Sequence, residues 1–171
     1  HGVIWRENPM QIVERYREWA AQTPERRAIV LYDTMWHATR RMAEAVGEGL
    51  AERGVPHKLF HMAVSDRNEV ITEIFRSKAV IIGSPTLNRG LLPTITPILE
   101  DLRGLGFQHK IGAAFGSYGW SGESTREIEA HLERSHVTKV ADGVSVKWQP
   151  TEEDLERCRD LGRTVADAVL A

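Results

Sequence analysis

The spacing of apolar residues changes at regular intervals along this chain and separates strands from helices. Ala28-Ile29-Val30-Leu31 and Ala79-Val80-Ile81-Ile82 are continuous apolar runs, the pattern of strands buried on both faces. After Thr39 the apolar positions become Met42, Ala43, Val46 and Leu50, which is helical spacing, and Gly54 and Pro56 stop that helix. The alternation predicts strands over 28–33, 57–62, 78–83, 108–116 and 143–147. It predicts helices near 39–53, 67–76, 94–103, 123–134 and 152–170. Within 94–103, Ile95, Ile98, Leu99 and Leu102 share one face and Gly104 follows; Thr151 and Asp154 have capping-box spacing. Asn8-Pro9 predicts an earlier helix with Asn8 as N-cap, ending near Thr23-Pro24. Its face of Ile12, Val13, Tyr16 and Trp19 is expected to pack on the domain, or otherwise on a missing neighbour. Strand-helix alternation with apolar strands implies a parallel sheet covered on both sides, and right-handed crossovers make it an α/β, doubly wound, three-layer sandwich.

Composition narrows the function classes. The net charge of -2 argues against a sequence-independent nucleic-acid surface. No apolar run is long enough to span a membrane, and no secretory signal pattern is visible. Cys158 is the single cysteine and falls beside Leu155 and Leu161 on a helix, a packing position. These features favour a reducing, cytoplasmic setting. The first residue is His1 rather than Met, so the chain is expected to be a processed product or part of something longer.

Ligands of such sheets sit beyond the carboxyl ends of the strands, and three loops there carry unusual residues. Thr34-Met35-Trp36-His37-Ala38-Thr39 runs from a buried strand into a helix start, where unpaired amides and the helix dipole favour an anion. It matches neither the triphosphate nor the dinucleotide glycine pattern, which leaves a terminal phosphate monoester held by the Thr34 and Thr39 hydroxyls and the turn amides. Gly83-Ser84-Pro85-Thr86-Leu87-Asn88-Arg89-Gly90 and Gly116-Ser117-Tyr118-Gly119-Trp120-Ser121-Gly122 combine small residues, backbone polar groups and large side chains. That lining suits a planar heteroaromatic ring, with Trp120 stacking on one face and Leu87 or Trp36 covering other parts. A phosphate end and a ring end together describe a flavin mononucleotide (FMN) slot.

These three loops resemble those of the flavodoxin-like domain of flavodiiron proteins, the A-type flavoproteins, and the resemblance covers essentially the whole chain. It implies a five-stranded sheet of order 2-1-3-4-5. It also implies FMN held by Thr34, Met35, Trp36, His37, Ala38 and Thr39 at the phosphate. Pro85, Thr86, Leu87 and Asn88 would border the ring and ribityl chain, and Ser117, Tyr118, Gly119, Trp120, Ser121 and Gly122 would close over the ring. His37 and Ala38 stand where the family's pattern has Gly-Asn or Gly-Ser; His37 would either add a contact to the phosphate or point outward. His1-Gly2-Val3-Ile4-Trp5-Arg6 resembles the junction with a diiron domain, in which His1 would be a metal ligand. Residues 1–26 would then be a junction and linker helix and 27–171 the FMN domain; no metal site is expected within this chain.

The resemblance further implies an electron relay, from a rubredoxin-type donor or reductase, through FMN, to a diiron site that reduces nitric oxide or dioxygen. The family's head-to-tail homodimer is part of that expectation. With Arg89 present and no Asp or Glu in 83–90 or 116–122, a less negative second reduction potential, to the hydroquinone, than in acidic-looped flavodoxins is expected. Two other classes compete on the same fold. A stand-alone NAD(P)H-dependent FMN quinone reductase, or a simple flavodoxin-type carrier, would need no second domain; the reductase would need a nicotinamide pocket, for which no basic cluster is evident. A receiver-like domain needs an acidic cluster and an Asp after the third strand, where Ser84-Pro85 stands instead.

Overall fold

β1 (Glu25–Tyr32) is buried on both sides from Ala28 onward, and it lies inside a parallel sheet between β2 (His57–His61) and β3 (Ser77–Gly83). The computed structural model describes residues 4–171, so His1 and most of the expected junction motif's start lie outside the described residues. The sheet continues through β4 (Ile111–Tyr118) to β5 (Thr138–Lys139), giving the order β2-β1-β3-β4-β5, and β6 (Val144–Lys147) also pairs with β4. Register brings Val30 beside Leu59 and Ile81, and Ile81 beside Ala113.

Alternate residues of each strand feed two separate cores. Ala28, Val30, Ile81 and Ala113 face Met42, Val46 and Leu50 of α2 (Ala38–Glu52) and Cys158, Leu161 and Val165 of α6 (Glu152–Leu170). Ile29, Leu31, Val80 and Ile82 face α3 (Arg67–Arg76), α4 (Thr96–Gly104) and α5 (Glu123–Arg134) through Ile74, Ile98, Leu102, Ile128 and Leu132. The expected packing role of Cys158 fits its full burial, which pushes its thiol pKa up to about 12.

α2 and α6 touch backbone to backbone. A β-carbon on Gly49 would fall 2.1 Å from the Arg159 carbonyl oxygen, and one on Gly162 would fall 2.2 Å from that of Val46. Arg159 bridges Glu48 to Glu152 and Glu156, while Arg163 bridges Glu52 to Glu156 and Asp160. This contact fixes α2, and therefore where its amino end points.

Five expectations need correction. β1 starts earlier than residue 28, because Glu25 and Arg27 are accommodated at the sheet's amino edge by ion pairs with Arg76 and Glu73. β4 is shifted from 108–116: His109 has φ 59, which interrupts extended backbone, and Ser117 and Tyr118 continue pairing with β6. The last strand is two short pieces, because Gly143 leaves the ladder to lie under Thr125 and donate its amide to Glu129. Asn8 has φ 47, so it cannot present the extended N-cap conformation; its carbonyl accepts from Gln11 while Pro9 occupies the cap position of α1 (Met10–Ala21). The apolar face of α1 is not buried either. Trp19 lies half-buried on Phe75, Ile12 is half-buried, and Val13 and Tyr16 are exposed.

Candidate functional site

β1 ends in Tyr32, and Asp33 then anchors the turn that follows. The buried Asp33 carboxylate accepts from the Thr34 amide at 2.7 Å and from Nε2 of His61 at 2.9 Å, and the Thr94 hydroxyl donates to its other oxygen. His61 in turn stacks on Tyr32, with rings 5.3 Å apart and 7° from parallel. The turn closes at His37, whose φ of 63 is left-handed and whose side chain is exposed. A glycine would hold that conformation without strain, which explains why a small residue is expected here. α2 begins at the next residue, and no side chain caps its free amides.

Between this turn and its neighbours lies a cleft of about 430 Å³. Thr34, Met35, Trp36 and Ala38 line one side, Pro85 and Thr86 the next, and Ser117, Tyr118, Gly119 and Trp120 the third. Six of the predicted site residues do not line it. His37 projects outward, and Thr39 lies fully buried with its hydroxyl 3.0 Å from that of Ser117. Leu87 pairs with Gly90 across a tight turn, while Asn88 sits at the turn's exposed tip with φ 50. Ser121 is exposed beside Glu123, and Gly122 caps α5.

The loops are locked to one another. The Thr86 amide donates to the Ser117 carbonyl at 2.8 Å, and the Thr86 hydroxyl donates to Ser124 at 3.0 Å. A β-carbon on Gly116 would lie 2.4 Å from the Ser84 carbonyl, so this approach requires glycine. Against that order, the Thr34 hydroxyl is buried with no partner, a state that costs roughly 1–3 kcal/mol unless a ligand oxygen meets it. The rim is equally unsatisfied: Trp36 is 80% exposed, Trp120 91% and Trp148 59%.

Trp148 and Gln149 also line the cleft, and the sequence reading passed over both. The signal was present, since they follow the last strand at the same edge as the other three loops. Asp33, His61 and Thr94 were missed because their meeting is purely tertiary. Glu123 follows Gly122 directly, and the Ser121 hydroxyl beside it holds its carboxyl below the usual range, with Arg89 adding to the effect. The carboxylate-free stretch that includes Arg89 is therefore bordered by a charge of opposite sign.

A family model for flavodoxins matches residues 30–162. The chain belongs to the flavodoxin family. Its cofactor is FMN. Nitric oxide reductase of Moorella thermoacetica is 46% identical over 167 residues, covering 97% of this chain and 42% of that protein. Among solved structures, rubredoxin oxygen:oxidoreductase from the anaerobe Desulfovibrio gigas superimposes with a TM-score of 0.90 at 38% identity, covering 94% of this chain and 40% of that one. The flavodiiron protein of Giardia intestinalis gives a TM-score of 0.89 at 32% identity, covering 99% of this chain and 42% of its own. This flavodoxin-family chain thus spans about two fifths of the length of these relatives and is similar to their flavodoxin-like part. No helix among the described residues is long and apolar enough to cross a membrane, and no group of three or more His, Cys, Asp or Glu among them could hold a metal ion.

The cleft fits FMN on its own chemistry. An anion-favouring helix start and an unpaired buried hydroxyl lie at one end, and aromatic edges and backbone polar groups lie at the other.

Proposed function

We propose that this chain is the electron-relay part of a flavodiiron nitric oxide or oxygen reductase. The observation that carries the reading is that Thr34, whose buried hydroxyl has no partner, sits beside an uncapped helix start and lines a cleft walled by Tyr118 and Trp120. Thr34 and the amides of residues 35–39 would hold the phosphate, while Thr39 acts from beneath by fixing Ser117. Pro85 and Thr86 would border the ring and ribityl chain, with Leu87 and Asn88 shaping their loop. Ser117, Tyr118, Gly119 and Trp120 would border the ring, and Ser121 and Gly122 would close their loop onto α5. Bound FMN supplies one-electron acceptance and donation. The chain's own residues bind it, orient it and leave its edge open to a partner.

Trp36, Leu87, Arg89 and Trp120 form the proposed electron-entry surface for a rubredoxin-type donor or reductase. The name of the Desulfovibrio gigas relative, a rubredoxin oxygen:oxidoreductase, supports that donor class. Electrons would leave toward a diiron domain to which residues 1–26 connect. The sparse packing of α1, held through Trp19 on Phe75, suits such a linker. The same reading assigns the parent to the cytoplasm as a homodimer.

The test is titration of the 171-residue chain with FMN, followed by absorption and flavin fluorescence. Expected are stoichiometric binding, loss of binding in the Trp120→Ala, Thr39→Ala double variant, and no NADPH oxidation with a quinone by the loaded chain. A folded chain that ignores FMN would overturn the reading, and rapid quinone reduction by NADPH would replace it with a self-sufficient reductase.

A further inference from the structure

The segment between β6 and α6 crosses the open side of the cleft, and its conformation is unusual for its residues. Trp148 has φ 64, a left-handed conformation that is costly for a bulky side chain and persists only where neighbours hold it. Here the Trp148 amide donates to the Tyr118 carbonyl at 2.8 Å. The six-membered part of its indole lies on Gly119, where even a glycine β-carbon position would be within 3.4 Å of the ring. Its ring centroid is 5.7 Å from that of Trp120. Gln149 reaches the other end of the slot, donating Nε2 to the Trp36 carbonyl at 2.9 Å. That carbonyl can only accept, so the amide group must present its NH2 there. Pro150 follows and is buried, restricting Gln149 to extended backbone, and the Thr151–Asp154 capping box then fixes the start of α6.

Resting on the flavin reading above, we propose that Trp148 and Gln149 form a fourth wall of the slot that sets which flavin it takes. Trp148 is a binding residue at the ring end, common to every flavin. Gln149 is a positioning residue: by tying the Trp36 carbonyl to the start of α6, it holds the phosphate turn in its anion-receiving shape. The turn has no side-chain cap, and its other holds act at its two ends, Asp33 on the Thr34 amide and the Arg41 amide on the His37 carbonyl, which leaves Gln149 to fix Trp36 between them. Preference for a phosphorylated over an unphosphorylated flavin should therefore depend on Gln149 and not on Trp148.

Affinities of the 171-residue chain for FMN and for riboflavin test this, measured by calorimetry for wild type, Gln149→Ala, Gln149→Glu and Trp148→Leu. Gln149→Ala should weaken FMN about tenfold, the size of one lost hydrogen bond, and leave riboflavin within about twofold. Gln149→Glu should weaken FMN further, since it removes the donor and sets a carboxylate near the phosphate. Trp148→Leu should weaken both ligands by the same factor. Both positions are exposed, and thermal unfolding of each variant confirms its fold. Equal loss of both ligands in Gln149→Ala, or an unchanged ratio in both Gln149 variants, would overturn the selectivity role; unchanged binding in Trp148→Leu would overturn the wall. A wild-type chain that binds neither flavin would instead overturn the flavin reading, and the proposal with it.

Discussion

The two edges of the one sheet are built on opposite terms. At the amino edge the charged groups are mostly answered by ion pairs within the protein, although Arg27 Nε, Glu73 Oε2 and the Ser77 hydroxyl have no hydrogen-bond partner. Glu73 is buried among Lys58, Arg27 and Arg76, and Lys110 donates to the carbonyls of Phe75 at 2.9 Å and Ser77 at 2.6 Å beneath the Phe107 ring. At the carboxyl edge the Thr34 hydroxyl is left unanswered, α2 starts uncapped, and three tryptophans stand exposed. The edges share strands and cores, so packing does not explain the difference. One edge pairs its charges with one another, and the other opens onto a cleft rimmed by exposed tryptophans.

Breaking the packing directly beneath the carboxyl edge should have the largest effect. A β-carbon on Gly83 would fall 2.2 Å from the buried Phe115 ring, so Gly83→Ala should cost about 3 kcal/mol in urea unfolding, with binding lost as a consequence.

The amino edge should then respond to pH and not to ligand. Burial lowers the Lys110 amine from 10.5 to about 8. Between those values the unfolded chain holds the proton that the folded protein has released, so stability from this group rises with pH across the window. Wild type should gain about 2 kcal/mol relative to Lys110→Met over that range. Taking the difference between the two cancels the opposing slope from Cys158, whose raised pKa makes the folded form lose stability as the unfolded thiol ionises. An identical pH profile for the two proteins would show that Lys110 is not desolvated as described.

At the carboxyl edge, Thr34→Val should separate stability from binding. Removing an unpaired buried hydroxyl should stabilise the ligand-free chain by about 1 kcal/mol, while FMN affinity falls about tenfold. Destabilisation of the ligand-free chain would mean that the hydroxyl already has a partner. The smallest effect sharpens the same contrast: His37→Gly should stabilise the ligand-free chain by about 0.5 kcal/mol by relieving a left-handed side-chain clash. The exposed imidazole is then dispensable for folding, and any loss of FMN affinity in that variant measures its contribution to the phosphate.

The sequence was most readable where one local pattern decides the outcome. Val30 and Ile81 announce strands by belonging to unbroken apolar runs, and Thr151 and Asp154 announce the start of α6 by their spacing. The three loops were located because a parallel sheet must bring its carboxyl ends together. What escaped depends on contacts across the chain. Thr39 carries no local sign that its hydroxyl will meet that of Ser117, far away in sequence. Gln149 carries no local sign that it will reach Trp36. Asn8 shows the limit of capping rules, since its residue type is right and its backbone angle is not.

The division of the last strand has a consequence for life at high concentration. A long, regular strand at the border of a sheet offers unpaired backbone groups on which a second chain can build. Here that border is two residues of β5 and four of β6, separated where Gly143 turns aside, with Lys139 and Lys147 set along it. Neither piece gives a continuous template, and each carries a charge that resists one. A detour that looks like a defect in the ladder guards this border of the sheet against intermolecular β-pairing, while the carboxyl ends of the strands remain free to hold a cofactor.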